Sequence, residues 1–339
     1  MILNSLLNFT ISLFLIAYLR VGVIGIVIAQ LITGVSLFIF LLNMFLMKLP
    51  FSLDKKIFFE SLKISYPLTP RIFFGVLGSQ FDKYMIGLLA TIGGVGVYHI
   101  GKRLAELVSV FMKTLQDVFN PQVYQRMFGK HEQGSESIGR YLTPFLYISI
   151  LVAFCIALFS EELITVLTPV SYHGAISIVT ILSMYFGFMF FGKITGTQLI
   201  YTKKTHITSL LTFFAIGINI ALNIPLIMKF GAIGAACATL LAGLISVIVS
   251  FIVAQHYYKI HYEWIKIIWI MGTFSIGSTF VAIIHLLDAP YSWSFIVKMT
   301  SMGIFLNLGF KYGILSKENI AIARSIIRLK TDAKLENNV

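Results

Sequence analysis

The sequence is poor in charge and poorer still in cysteine. Only 12% of its 339 residues are Asp, Glu, Lys or Arg, against about a quarter in soluble globular chains. With 58% hydrophobic residues and a mean hydropathy of +0.89, a soluble enzyme is excluded as a class. The two cysteines, Cys155 and Cys237, lie mid-helix in apolar segments, so neither a disulfide framework nor a zinc knuckle is available and both read as packing residues. Walker A and HExxH motifs and paired carboxylates in a polar cleft are also missing, which leaves an ATPase or hydrolase nothing to work with. The chain reads as no enzyme, and no cofactor is expected. Its histidines, His256 and His261 among them, read as interfacial groups near a helix end rather than as metal ligands.

What the chain has is a succession of long apolar runs. A helical span needs roughly 20 apolar residues. Run length and polar interruptions predict spans near 2–19, 22–47, 67–90, 95–120, 141–160, 174–201, 206–228, 230–256, 264–287 and 291–312. The first run lacks a basic leader and a small-residue cleavage site, and a second follows directly after Arg20, so it reads as a true span. Ten spans place both termini on one side. With the N-terminus in the cytoplasm, 17 of the 26 Lys and Arg residues fall inside and only Arg20, Lys229 and Lys298 outside. This asymmetry accounts for most of the formal net charge of +12 without a nucleic-acid partner. Two amphipathic segments, 53–64 and 316–330, the second opening on Ser316 as N-cap, are expected to lie on the inner face as interfacial helices.

A weak internal repeat is present. Residues 21–34 (VGVIGIVIAQLITG) align without gaps to 230–243 (FGAIGAACATLLAG), with identities at Gly22/Gly231, Ile24/Ile233, Gly25/Gly234, Ala29/Ala238, Leu31/Leu240 and Gly34/Gly243. Such biased composition can align by chance; the alternative is a duplicated lobe, common among transporters.

The most specific signal is charge at membrane depth. Arg71, Asp82, Lys83, Lys102, Arg103, Glu106, Lys113, Asp117 and Lys193 all fall inside predicted spans. At about 2.5–3.5 kcal/mol for each charge facing lipid, such a set must instead face water or one another. From Lys102, the residues Glu106, Ser109, Lys113, Gln116 and Asn120 lie at offsets that fall within about 40° of one helical line. Arg71, Gly75, Gly78, Ser79 and Asp82 form a similar stripe on the preceding span. Ion pairs Lys102–Glu106 and Lys113–Asp117 at i,i+4 would explain part of this pattern. Six bases against three acids nevertheless leave a positive surplus, which favours an anionic solute in an aqueous cavity.

The runs 66–84 (YPLTPRIFFGVLGSQFDKY), VGVYHIGKRLAELVSVF, TLQDVFNPQVYQRM and NIALNIPLIMKFGAIGAACATLLAGLISVIVSF resemble, in order and spacing, the polysaccharide-transport proteins of the multidrug/oligosaccharidyl-lipid/polysaccharide exporter superfamily. These are flippases for O-antigen or capsule repeat units on undecaprenyl carriers. The resemblance implies an all-α polytopic membrane protein of about ten transmembrane helices, in a two-lobe fold lacking roughly the first four helices. Its expected parts are two N-lobe helices in 1–49, a cytoplasmic amphipathic linker at 50–66, a six-helix C-lobe at 67–256, two further helices in 257–315 and a cytoplasmic tail at 316–339. It further implies the bacterial cytoplasmic membrane, with both termini inside. The substrate would be an undecaprenyl-pyrophosphate-linked oligosaccharide. Membrane lipids, a polysaccharide polymerase and glycosyltransferases are candidate partners. By the same resemblance Arg71, Lys83, Lys102 and Lys113, with Gln116 and Asn120, contact the pyrophosphate or acidic sugars, while Asp82, Glu106 and Asp117 act as counter-charges or carry a coupling ion. A cation-coupled multidrug exporter of the same superfamily is the alternative, as is a transport-inactive truncated fragment.

Overall fold

The computed structural model describes residues 2–22, 24–48, 54–65, 69–128, 134–287 and 290–314. It forms two compact units, 1–69 and 70–339. All regular structure among the described residues is helical. Among the described residues six helices are long and apolar enough to cross a membrane, and the chain is an all-α polytopic membrane protein.

The first unit holds α1 (Ile2–Leu13), which runs on as a π turn over Phe14–Tyr18, then α2 (Ile24–Lys48) and α3 (Lys55–Ser65). Asn8 donates to Thr33 Oγ1 at 3.1 Å and ties α1 to α2. The α3 helix is capped by Asp54, whose Oδ1 accepts the Lys56 amide at 2.8 Å. Its Ile57, Phe58, Phe59 and Leu62 are exposed, as are Lys55 and Lys56. The second amphipathic segment, 316–330, lies outside the described residues.

The second unit comprises α4 (Thr69–Leu89), α5 (Ile92–Phe128), α6 (Gly134–Leu158), α7 (Ser160–Leu167), α8 (Ala175–Tyr201), α9 (Thr205–Tyr257), α10 (Trp264–Leu286) and α11 (Tyr291–Lys311). Helices cover the predicted spans with several differences: α6 begins at Gly134, seven residues before the expected 141, and 206–228 and 230–256 share one helix, α9. The α5 helix passes through Pro121 and ends eight residues beyond the expected 120. A short helix, α7, joins α6 to α8. The central element is α8, with contacts to α5, α6, α9 and α10. Most of its residues are apolar, as suits a helix surrounded by others, and the polar Lys193, Thr195, Thr197 and Gln198 cluster toward its C-terminal end. Gly101 lets α5 come close: a Cβ there would stand 2.7 Å from the Ile178 side chain on α8.

At 53 residues, or about 80 Å of helix, α9 exceeds a single crossing. It breaks at Gly231, with φ 59° and ψ −134°, a conformation that residues with a Cβ avoid. The equivalent glycine of the repeat, Gly22, also has positive φ, 69°. In both copies the next shared glycine meets the preceding arm: a Cβ on Gly25 would touch Leu15, and one on Gly234 would strike the Leu226 carbonyl. Ala29 and Ala238 are both fully buried. The two segments thus build the same hairpin corner. Gly231→Val should destabilise the protein by about 1–3 kcal/mol, read from denaturant or thermal unfolding in detergent; an unchanged midpoint would contradict the strained turn.

Candidate functional site

The most elaborate polar cluster inside the membrane helices centres on Asp82, which is 3% exposed. On α4, Asp82 faces α5 and both arms of α9. The Tyr98 hydroxyl donates to its Oδ2 at 2.8 Å, and Asn223 Nδ2 donates to its Oδ1 at 2.9 Å. Thr239 Oγ1 donates to Oδ2 at 3.4 Å, and the Lys102 ammonium stands 3.6 Å from the same oxygen. Asn223 also donates to Asn219 Oδ1, one helical turn away, at 3.0 Å. A carboxylate taken this far from water is tolerated only when paired and hydrogen-bonded, and both conditions hold here.

Two cavities adjoin this cluster. The first, about 330 Å³, is bordered by Gly75, Gly78, Asp82, Lys102 and Glu106 on α4 and α5, and closed by Tyr185, Phe186 and Asn219. The second, about 450 Å³, is bordered by Gln116 and Asn120 on α5 and by residues of α8 and α9. Met189, Thr212, Ala215 and Ser246 line both, so the two are neighbouring chambers of one groove along α5, α8 and α9.

The residues singled out in the sequence distribute as follows. Asp82, Lys102 and Glu106 come together in the first chamber. Gln116 and Asn120 border the second, where the Asn120 Oδ1 accepts from Thr197 at 3.3 Å. Lys83 is half-buried, turned away from Asp82 by its place one residue along the helix, and donates to Gln80 at 3.1 Å. Lys113 and Asp117 are exposed on α5 and border neither chamber. Arg71 belongs to α4, but its side chain, like that of Ser79, lies outside the described residues.

The expected i,i+4 ion pairs along α5 do not form. Lys102 instead meets Asp82 across two helices, Glu106 pairs with Arg103 at 3.7 Å, and no ion pair joins Lys113 to Asp117. The reason is burial: Asp82 is inside the helix packing and needs a counter-charge more than the half-exposed Glu106 does. Sequence reading missed Tyr98, Asn219, Asn223 and Thr239. The i,i+4 spacing of Asn219 and Asn223 in an otherwise apolar run was the available signal.

A second charged cluster joins α7 to α11. Lys298 on α11 is fully buried and meets Glu161 at 2.8 Å and Glu162 at 2.7 Å on α7. The Tyr291 hydroxyl donates to Glu162 at 2.9 Å. No group of three or more His, Cys, Asp or Glu with metal-binding geometry occurs among the described residues.

Comparison with known proteins places this geometry. Residues 1–177 match the family model described as polysaccharide biosynthesis protein. The chain is 26% identical over 196 residues to a probable low-salt glycan biosynthesis flippase, Agl15, of Haloferax volcanii. That match covers 58% of this chain and 42% of the relative, so the chain spans less than half of the curated relative it matches. No solved structure matches the chain. Long apolar helices around a charged and hydroxyl-rich groove, with a family match over more than half the sequence, lead to one assignment: this membrane-spanning chain belongs to the polysaccharide biosynthesis protein family.

Proposed function

We infer that the chain takes part in moving a lipid-linked oligosaccharide, an undecaprenyl-pyrophosphate-linked repeat unit, from the cytoplasmic to the outer face of a bacterial cytoplasmic membrane. The observation that carries this reading is the two-chambered groove among membrane-embedded helices. It offers a hydrated path for a glycan headgroup while the lipid-facing sides of the same helices remain apolar. No bond is made or broken in such a step; the protein binds, orients and releases.

The roles follow from the chemistry of each chamber. Lys102 is the basic contact in the first, and Gln116 and Asn120 supply amide donors and acceptors in the second. Asp82 is the group suited to coupling. Lys102 balances its charge in the structure at hand, and a proton or sodium ion arriving at the carboxylate would compete with that ammonium and free it for the substrate. Binding at one group is thereby linked to binding at the other. Lysine and arginine counting supports cytoplasmic termini. A polymerase and glycosyltransferases remain natural neighbours on either side of the membrane step.

One observation favours the drug-exporter alternative: the first chamber carries two carboxylates against one lysine and has aromatic walls in Tyr185 and Phe186, which suits an organic cation. Expression in a susceptible strain separates the two. Lys102→Gln should abolish delivery of surface glycan at normal protein level, with drug susceptibility unchanged throughout. Normal surface glycan in that variant, or wild-type-dependent resistance to organic cations, would count against the flippase reading.

A further inference from the structure

The second chamber is built differently from the first. Four helical segments each turn an i,i+4 pair of polar residues toward it, the spacing that puts two side chains on one helix face. The pairs are Gln116 and Asn120 on α5, and Lys193 and Thr197 on α8. On α9 they are Thr208 and Thr212 before the break and Ser246 and Ser250 after it. Lys193 is the one charged residue among those bordering it; no carboxylate does so, and among the described residues Lys193 has no ion-pair partner.

A second observation is independent of charge. Ser246 is 8% exposed, and its hydroxyl has no hydrogen-bond partner; the buried hydroxyl of Thr208 has none either. Buried hydroxyls left unpaired are costly and uncommon, and both of these border the chamber. Thr197 occupies Asn120 Oδ1 and leaves the Asn120 Nδ2 as a donor. The inventory is therefore one cation, two amides and several hydroxyls in a space of about 450 Å³. A lone lysine disfavours an organic cation, and amides and hydroxyls beside the apolar Met189, Leu199, Leu211 and Val247 suit the polar and apolar faces of a sugar carrying a phosphoryl group.

We propose that this chamber is the subsite for the phosphoryl-sugar part of the substrate, with Lys193 as the anion contact and Ser246, Thr208 and the Gln116 and Asn120 amides as contacts to sugar hydroxyls. The proposal rests on the flippase reading above and deepens it by separating two tasks: the Lys193 chamber takes the anionic headgroup, while the Asp82 chamber carries the charge that couples. The phosphoryl group could also come from a bulk phospholipid, and the experiment separates the two sources.

The test uses the full chain in phosphatidylcholine nanodiscs and a water-soluble short-chain isoprenyl pyrophosphoryl N-acetylhexosamine as probe, with binding read by calorimetry. Wild type should bind the probe. Lys193→Gln should weaken binding by about tenfold or more, the loss of one charge-assisted hydrogen bond, and Lys193→Arg should stay within about threefold of wild type. Ser250→Trp, which fills the chamber from its wall without touching Lys193, should also lose binding while melting at the wild-type temperature. Phosphatidylglycerol added to the discs should not displace the probe. Equal probe affinity in wild type and Lys193→Gln, with loss in Lys102→Gln, overturns the subsite and leaves the flippase reading standing. Displacement by phosphatidylglycerol overturns the sugar-linked assignment. Failure of wild type to bind the probe overturns the flippase reading itself.

Discussion

Asp82→Ala should unfold the protein more easily by about 3–5 kcal/mol and abolish glycan delivery. Three donors, the Tyr98 hydroxyl, the Asn223 amide and the Thr239 hydroxyl, converge on this carboxylate together with the Lys102 ammonium. Each buried donor that loses its acceptor costs about 1–3 kcal/mol, and a buried ion pair broken on one side costs about 3–5 kcal/mol, the two overlapping rather than adding. Asp82→Asn separates structure from coupling. It keeps an acceptor for Tyr98 and the shape of the site, so its unfolding midpoint should fall by less than that of the alanine variant. Delivery should still drop by about a hundredfold, because an amide carries neither a proton nor a sodium ion. Unfolding midpoints in detergent and surface-glycan measurements on the same variants decide this. Full delivery by Asp82→Asn would reduce Asp82 to a structural counter-charge.

Lys298→Met should be the most destabilising single change at the α7–α11 contact, also about 3–5 kcal/mol. The ammonium is fully buried and is the shared partner of Glu161 and Glu162, so its removal leaves two carboxylates side by side. If uncompensated charge is the cause, adding Glu161→Gln and Glu162→Gln to Lys298→Met should recover much of the loss in the unfolding midpoint. No recovery would mean that lost packing, not charge, dominates.

The same contact gives a dependence on pH. Burial pushes the Glu162 carboxyl upward, but hydrogen bonds from Lys298, from its own backbone amide and from Tyr291 outweigh this and hold it below the ordinary 4.5. A group depressed in the folded state stabilises above its unfolded value and loses that contribution as pH falls through the folded value. The stability difference between wild type and Glu162→Gln should therefore be constant near neutrality and shrink below about pH 4.5. A difference that widens on acidification would contradict the pairing.

Much of the architecture was legible because the membrane imposes a length. Runs near 20 apolar residues gave 174–201, 264–287 and 291–312, within a residue of α8, α10 and α11. The α5 helix was cut short because its apolar run ends near Asn120, whereas the helix continues through Pro121 to Phe128. The α7 helix was missed because eight residues opening on Glu161 and Glu162 have no membrane signature. At the site, the charged stripe on α5 was visible because charge is rare in such a chain. Its partners were not. Asn219, Asn223, Thr239 and Ser246 are small or uncharged residues in apolar runs, and only the folding of α9 onto α4, α5 and α8 gives them a common function. Likewise the stripe does not face one space: its two ends serve different chambers, and Lys113 between them is exposed.

The most direct test of the central claim is reconstitution of the full chain in liposomes with a fluorescent undecaprenyl-pyrophosphoryl oligosaccharide on both leaflets, followed by addition of a membrane-impermeant quencher that reaches only the outer leaflet. With wild type, the fraction quenched should climb toward completion as the inner pool exchanges outward, and it should stay near half with Asp82→Asn, Lys102→Gln or protein-free liposomes. Quenching near half with wild type, or exchange at the wild-type rate in both variants, would contradict the account.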